Sequence, residues 1–152
     1  MKVINGDLLK LAKQGKFDII IHGCNCFCQM GAGIAKQIKK EFPEAYIEDC
    51  KTIKGDKGKL GFFSSCSINN NYKFIIVNAY TQYHYRHSTK ANVDYDALRK
   101  IFAALKLIVE SSTRIGYPLI GAGLAGGNWK KISNIIDQEL EGCDHTLVKY
   151  LM

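Results

Sequence analysis

Gly121-Ala122-Gly123-Leu124-Ala125-Gly126-Gly127 is the stretch that decides the fold. It follows an apolar run, Tyr117-Pro118-Leu119-Ile120, that reads as a strand. It ends just before a helical stripe that begins at Trp129. Strand, glycine loop and helix in that order point to an α/β domain. Glycine lets backbone approach a ligand closely, and a helix N-terminus presents unpaired N–H groups with a partial positive charge. Such a loop is therefore either an anion site or only a tight turn. The same context occurs a second time: the run Phe17 to Ile21 reads as a strand, and Gly31-Ala32-Gly33 stands directly before a helix at Ile34. Two such loops in one small domain suit a ligand with two linked anionic groups, such as a diphosphate.

The loop at 121–127 contains G-x-G-x-x-G at Gly121, Gly123 and Gly126, but its setting excludes a dinucleotide fold. Only 26 residues follow Gly126, enough for one helix and one strand, so no second mononucleotide half can follow. Gly127-Asn128-Trp129 is not the G-K-[ST] that opens a helix after a triphosphate-binding loop. Hydride transfer and nucleoside triphosphate hydrolysis are both set aside.

Outward from the loops, short apolar runs alternate with amphipathic segments. Lys2-Val3-Ile4 is a first strand, and Asp7 is placed to cap a short helix that ends near Gly15. Ile34, Ala35, Ile38 and Phe42 form one face of a helix that Pro43 ends or interrupts. Residues 60–66 and 72–79 read as two strands joined through Asn69-Asn70-Asn71. Asp94 opens a helix with the stripe Leu98, Ile101, Phe102, Leu105, Ile108 and Val109. Trp129, Ile132, Ile135, Ile136 and Leu140 mark a last helix, and Leu147 to Leu151 a last strand. The order β-α-β-α-β-β-α-β-α-β predicts a three-layer α/β/α domain over residues 1–152, with no linker or repeat.

The chain has 152 residues, a formal charge of +7 and a pI near 9.1. No apolar run approaches the ~20 residues of a membrane span, and Met1 to Asp7 has no signal-peptide core. The expectation is a cytoplasmic protein with reduced cysteines and no membrane partner. The densest basic cluster, Lys36, Lys39 and Lys40, sits at helical spacing and reads as a solvated face; without a recognition motif, nucleic acid is not the expected partner.

Between the strand at 17–21 and the first glycine loop lies His22-Gly23-Cys24-Asn25-Cys26-Phe27-Cys28-Gln29-Met30. C-x-C-x-C has the wrong spacing for structural zinc, so the cysteines read as small packing residues and no metal is expected. Asn25, at the strand end, either bonds a sugar hydroxyl or closes a turn on its own backbone. His22 is either an acid–base group suited to neutral pH or a buried, hydrogen-bonded residue.

These segments together resemble a macrodomain, the ADP-ribose-binding fold. The matching pieces are Gly6-Asp7-Leu8, Asp18 to Asn25, Met30 to Ile38, and Pro118 to Trp129, in the family's order. The resemblance implies a mixed central sheet. His22-Gly23-Cys24-Asn25-Cys26, with Gly31-Ala32-Gly33-Ile34-Ala35 and Phe42-Pro43, is similar to the ADP-ribose-1″-phosphate phosphatases. Met30 to Ala35 is also similar to the terminal ADP-ribose hydrolases that cleave glutamate esters.

The resemblance assigns roles by motif. Asp7 would accept from the adenine amino group, and the Leu8 N–H would support the ring. Asn25 would hold the distal ribose. Met30 to Ile34 and Gly121, Ala122, Gly123, Leu124, Ala125 and Gly126 would wrap the diphosphate. The ester hydrolases use a lysine and an aspartate, where this chain has Gln82 and Ala125, which can form neither an adduct nor a base. Lys90 substitutes only if the register differs. The resemblance therefore implies removal of the phosphate from ADP-ribose 1″-phosphate, with His22 and Asn25 as catalytic candidates and His84 and His87 behind them. Its alternatives are a non-catalytic reader of ADP-ribose or ADP-ribosylated protein, and an ester hydrolase. Tyr80, Tyr83, Tyr85 and Trp129 border the expected crevice. No cofactor is implied.

Overall fold

The computed structural model describes residues 1–86, 92–123 and 125–150. The elements run β1 (Lys2–Asn5), α1 (Leu8–Lys13), β2 (Ile19–Cys24), α2 (Gly33–Glu41), α3 (Pro43–Cys50), a 3-10 turn (Lys57–Lys59), β3 (Phe63–Asn69), β4 (Lys73–Tyr80), α4 (Tyr95–Ile108), β5 (Arg114–Tyr117), α5 (Trp129–Glu139) and β6 (Asp144–Lys149). The six-stranded sheet has the order β1-β6-β5-β2-β4-β3. All neighbours are parallel except β3 and β4, which form an antiparallel pair from Phe63↔Ala79 to Asn69↔Lys73. The mixed α/β/α sandwich is thus present.

Period-two alternation sorts the side chains of the central strands onto two buried faces. Ile19, Ile21, Val77 and Ala79 pack with Leu98, Phe102, Ile132 and Ile136 of α4 and α5. Ile20, Ile76 and Phe74 face the other way, onto Leu9, Ile38 and Ala45 of α1, α2 and α3. Asp7 and Asp94 cap α1 and α4 as expected, accepting from Lys10 N and Ala97 N.

Several boundaries differ from expectation. β2 runs to Cys24 rather than Ile21, because Gly23 and Cys24 continue the register against Ala79 and Tyr80. β5 ends at Tyr117, before Pro118, which has no N–H for a ladder; the expected strand 117–120 is instead turn backbone, with Ile120 N donating to Pro118 O at 2.6 Å. Pro43 does more than stop a helix. It takes the first position of a new one, α3, where its fixed φ suits the opening turn. Ile108 is exposed at the end of α4 rather than on its buried stripe. The last strand is Asp144–Lys149, and Leu151 lies outside the described residues. Among the described residues no helix is long and apolar enough to cross a membrane.

Candidate functional site

The chain leaves β2 toward β3 and β4 on one side, and leaves β5 toward β6 on the other. The carboxyl ends of these two neighbouring strands therefore diverge, which opens a crevice at the switch point of the sheet. A cleft of about 620 Å³ lies there. Both glycine loops line it: Gly31 to Ala35 on one side, and Gly121, Gly123 and Ala125 on the other. Gly23, Cys24 and Asn25 of the β2 end lie between them, and Gln82 and Tyr85 close one end. Val148 in β6 and Tyr150 just beyond it close the other. The two loops expected to share a ligand do share one cavity.

Three of the helix N-termini are capped by side chains: Asp7 on α1, Asp94 on α4 and Asn128 on α5. α2 is different. Its N-cap is Ala32, with no side-chain hydrogen bond, and its first residues Gly33, Ile34 and Ala35 line the cleft. The first amides of a helix have no intrahelical partner, and alanine is a poor cap. The α2 start therefore presents donors to the cleft that the protein itself leaves to another acceptor.

Asn25 lines the cleft but is also tied into its own turn. Its Oδ1 accepts from Phe27 N (2.9 Å) and Gln29 N (3.3 Å), and its Nδ2 donates to Gln29 O (2.7 Å). One Nδ2 proton remains beyond that bond. Gln82 lines the cleft with its Nε2 donating to His84 O at 2.7 Å. Ala125 is buried there too.

His22, the acid–base candidate, does not line the cleft; of its two expected settings the structure has the buried, hydrogen-bonded one. Alternation along β2 turns its ring onto the α3 face, where it is 1% exposed and bonds Asn78 Oδ1 at 2.7 Å. The bond fixes Nε2 as the protonated nitrogen of a neutral ring. Beyond it runs a buried chain. Asn78 Nδ2 donates to Ala45 O and Ser64 Oγ, Ser64 Oγ meets Tyr80 OH at 2.8 Å, and Tyr80 OH donates to Asp49 Oδ1 at 2.8 Å. Burial pushes the His22 imidazole down to about 4, against which the Asn78 bond acts only partly. The unfolded ring, with an ordinary pKa of ~6.5, then binds more protons than the folded one between those values, so stability falls as pH drops through that window. The loss amounts to roughly 3 kcal/mol for His22. Burial lowers His145 in the same direction. A His22→Gln variant should therefore lose less stability than the parent between pH 6.5 and pH 4, in parallel urea titrations; equal losses would assign the acid sensitivity elsewhere.

Other expected residues fall outside the cleft. Met30 is 2% exposed in the core beside Ile38, because it points inward from the loop that carries Gly31. Leu8 is buried and Asp7 caps α1; neither lines the cleft, although Gly6 N donates to Lys149 O next to the Tyr150 end. Ala122 and Gly126 also belong to the loop without lining the cavity. Tyr80 is buried on Asp49, Tyr83 OH donates to Gly55 O, and Trp129 packs on the α4–α5 core. Leu124, His87 and Lys90 lie outside the described residues. Among the described cleft-lining residues there is no carboxylate, imidazole, ammonium or guanidinium; the ionisable side chains there are Tyr85, Tyr150 and Cys24, whose thiol burial raises well above its ordinary value. Cys24, Cys26 and Cys28 are buried as packing residues. The sequence reading missed Tyr150, and it missed the Asp49–Tyr80–Lys59 cluster below the cleft.

The Macro domain family matches residues 21–136. A 17.5 kDa protein of Enterobacteria phage T4 with no assigned function is 37% identical over 90% of this chain and 88% of its own length. The ADP-ribose glycohydrolase of Bos taurus is 25% identical over 98% of this chain and 90% of its own. The solved macrodomain of Thermus aquaticus DarG superposes with a TM-score of 0.68 at 22% identity, covering 99% of this chain and 97% of that one.

Proposed function

The chain belongs to the Macro domain family, and from that premise we propose that its cleft binds ADP-ribose and removes the phosphate from ADP-ribose 1″-phosphate. The observation that carries the binding reading is the pair of glycine loops on one cavity, one of them opening α2 with no side-chain cap. The diphosphate sits across these loops, taking backbone amides from both. Asn25 and Gln82 face the distal ribose, and Tyr150 stands at the adenine end. The cattle relative's name, ADP-ribose glycohydrolase, supports the same ligand.

The phosphatase reading is supported by the residues that remain. A lysine-adduct route has no lysine to use at Gln82 and no carboxylate at Ala125. Phosphate-monoester cleavage passes through a loose transition state that needs positioning and oriented donors more than a protein nucleophile. The loop amides and the second Nδ2 proton of Asn25 are such donors: water attacks phosphorus, the bond from phosphorus to the 1″-oxygen breaks, and one proton of that water ends on the 1″-oxygen while inorganic phosphate leaves. That the described cleft-lining residues include no carboxylate, imidazole, ammonium or guanidinium favours a second reading, a reader that binds without turnover.

One preparation separates the readings. Calorimetry with ADP-ribose should show saturable binding; no heat at millimolar ligand would end the binding claim. Phosphate release from ADP-ribose 1″-phosphate, with and without added Mg²⁺, then decides between enzyme and reader.

A further inference from the structure

A buried ion cluster lies under the distal end of the cleft. Lys59 ends the 3-10 turn and is 8% exposed. Its Nζ donates to Cys26 O at 3.0 Å, lies 3.8 Å from Cys28 Sγ and stands 4.7 Å from the centre of the Tyr80 ring. Tyr80 in turn donates to Asp49, whose side chain is almost wholly enclosed. Cys28, a non-glycine residue with φ +56°, donates its S–H to Asp49 O at 3.3 Å. The ammonium and the Asp49 backbone thus hold the same short turn, Cys26 to Cys28, from two sides.

Burying an ammonium and a carboxylate is a poor way to gain stability, since desolvation offsets most of their attraction. What the arrangement fixes is geometry. Both acceptor bonds of Asn25 go to amides in or next to the turn, Phe27 N and Gln29 N. Cys26 O is also held by Gly55 N at 2.7 Å, and Cys26 N by Tyr83 O at 2.9 Å. Lys59 itself does not line the cleft.

We infer that Lys59 is a positioning residue for the distal end of the cleft: it holds the Cys26–Cys28 turn, and through it the Asn25 amide, in the pose by which the site tells ADP-ribose from ADP. The inference rests on the proposed placement of the distal ribose at Asn25. It adds a specificity role for a cation that never touches the ligand.

The test uses Lys59→Met and the double variant Lys59→Met/Asp49→Asn, which leaves no unmatched buried charge. ADP should bind both variants within twofold of the parent, because it lacks the distal ribose. ADP-ribose should bind about tenfold more weakly, so the preference for it falls toward one. In the ligand-free protein, hydrogen exchange at the Phe27 and Gln29 amides should accelerate at least tenfold, while Ile76 and Val77 in β4 stay protected. A general structural role would instead weaken both ligands alike and expose β4 with the turn, which overturns the proposal. So does a folded double variant with the parent's ligand preference and turn protection. A parent that binds ADP and ADP-ribose equally would remove the Asn25 placement, and the specificity role with it; the exchange data would then still report whether Lys59 holds the turn.

Discussion

Gly127→Ala should lower the melting temperature by about 10 °C. A Cβ at this position would lie 2.4 Å from Gly121 O, 2.6 Å from Val93 Cγ1 and 2.8 Å from Ile132 Cδ1. The closest of these is backbone, and it already accepts from Gly127 N at 2.7 Å. The methyl group can enter only by breaking that bond and pushing the loop off α5. Overpacking costs ~1–3 kcal/mol and the lost hydrogen bond ~1, giving about 2–4 kcal/mol in total. At ~2–4 °C per kcal/mol for a chain of this size, the shift is on the order of 10 °C. Differential scanning calorimetry reads it, and a shift under 3 °C would mean that the loop gives way easily.

Gly31→Val and Gly123→Val should do the opposite, keeping the fold and losing the ligand. A Cβ at either glycine meets no protein atom within 4 Å, although both residues line the cleft. Added methyl groups therefore occupy space the proposed diphosphate needs and cover the loop amides. Each charge-assisted hydrogen bond lost is worth ~1.5–3 kcal/mol, so one or two of them weaken ADP-ribose binding about 100-fold. Melting temperatures should stay within about 2 °C of the parent, since these surface substitutions break no packing. If either variant binds ADP-ribose as the parent does, that loop does not carry the diphosphate.

The three layers were legible because the relevant signals are local. Apolar runs such as Phe74 to Val77, the caps Asp7 and Asp94, and the glycine loops each declare themselves within a few residues. The end of β2 was not, because Gly23 and Cys24 join the strand only through their register with β4. α3 was hidden by Pro43, which terminates one helix and starts the next with the same ring. The direction of His22 follows from alternation once the strand is known to extend to Cys24, and it turns away from the cleft a residue that the family resemblance had made an acid–base candidate. Lys59 and Asp49 carry no local signal at all. Only the packing of the 3-10 turn and α3 against β4 makes them a buried cluster. Tyr150 was read as part of a strand, whereas the last strand stops at Lys149.

The bare start of α2 has a consequence for motion as well as for affinity. Ala32 gives the helix's opening amides no side-chain acceptor, so its first turn is loosely secured backbone at the cleft. A bound phosphate would finish that turn, much as a keystone completes an arch. Slower amide exchange at Ile34 and Ala35 and tighter ligand retention would then rise and fall together, as two measures of the same closure.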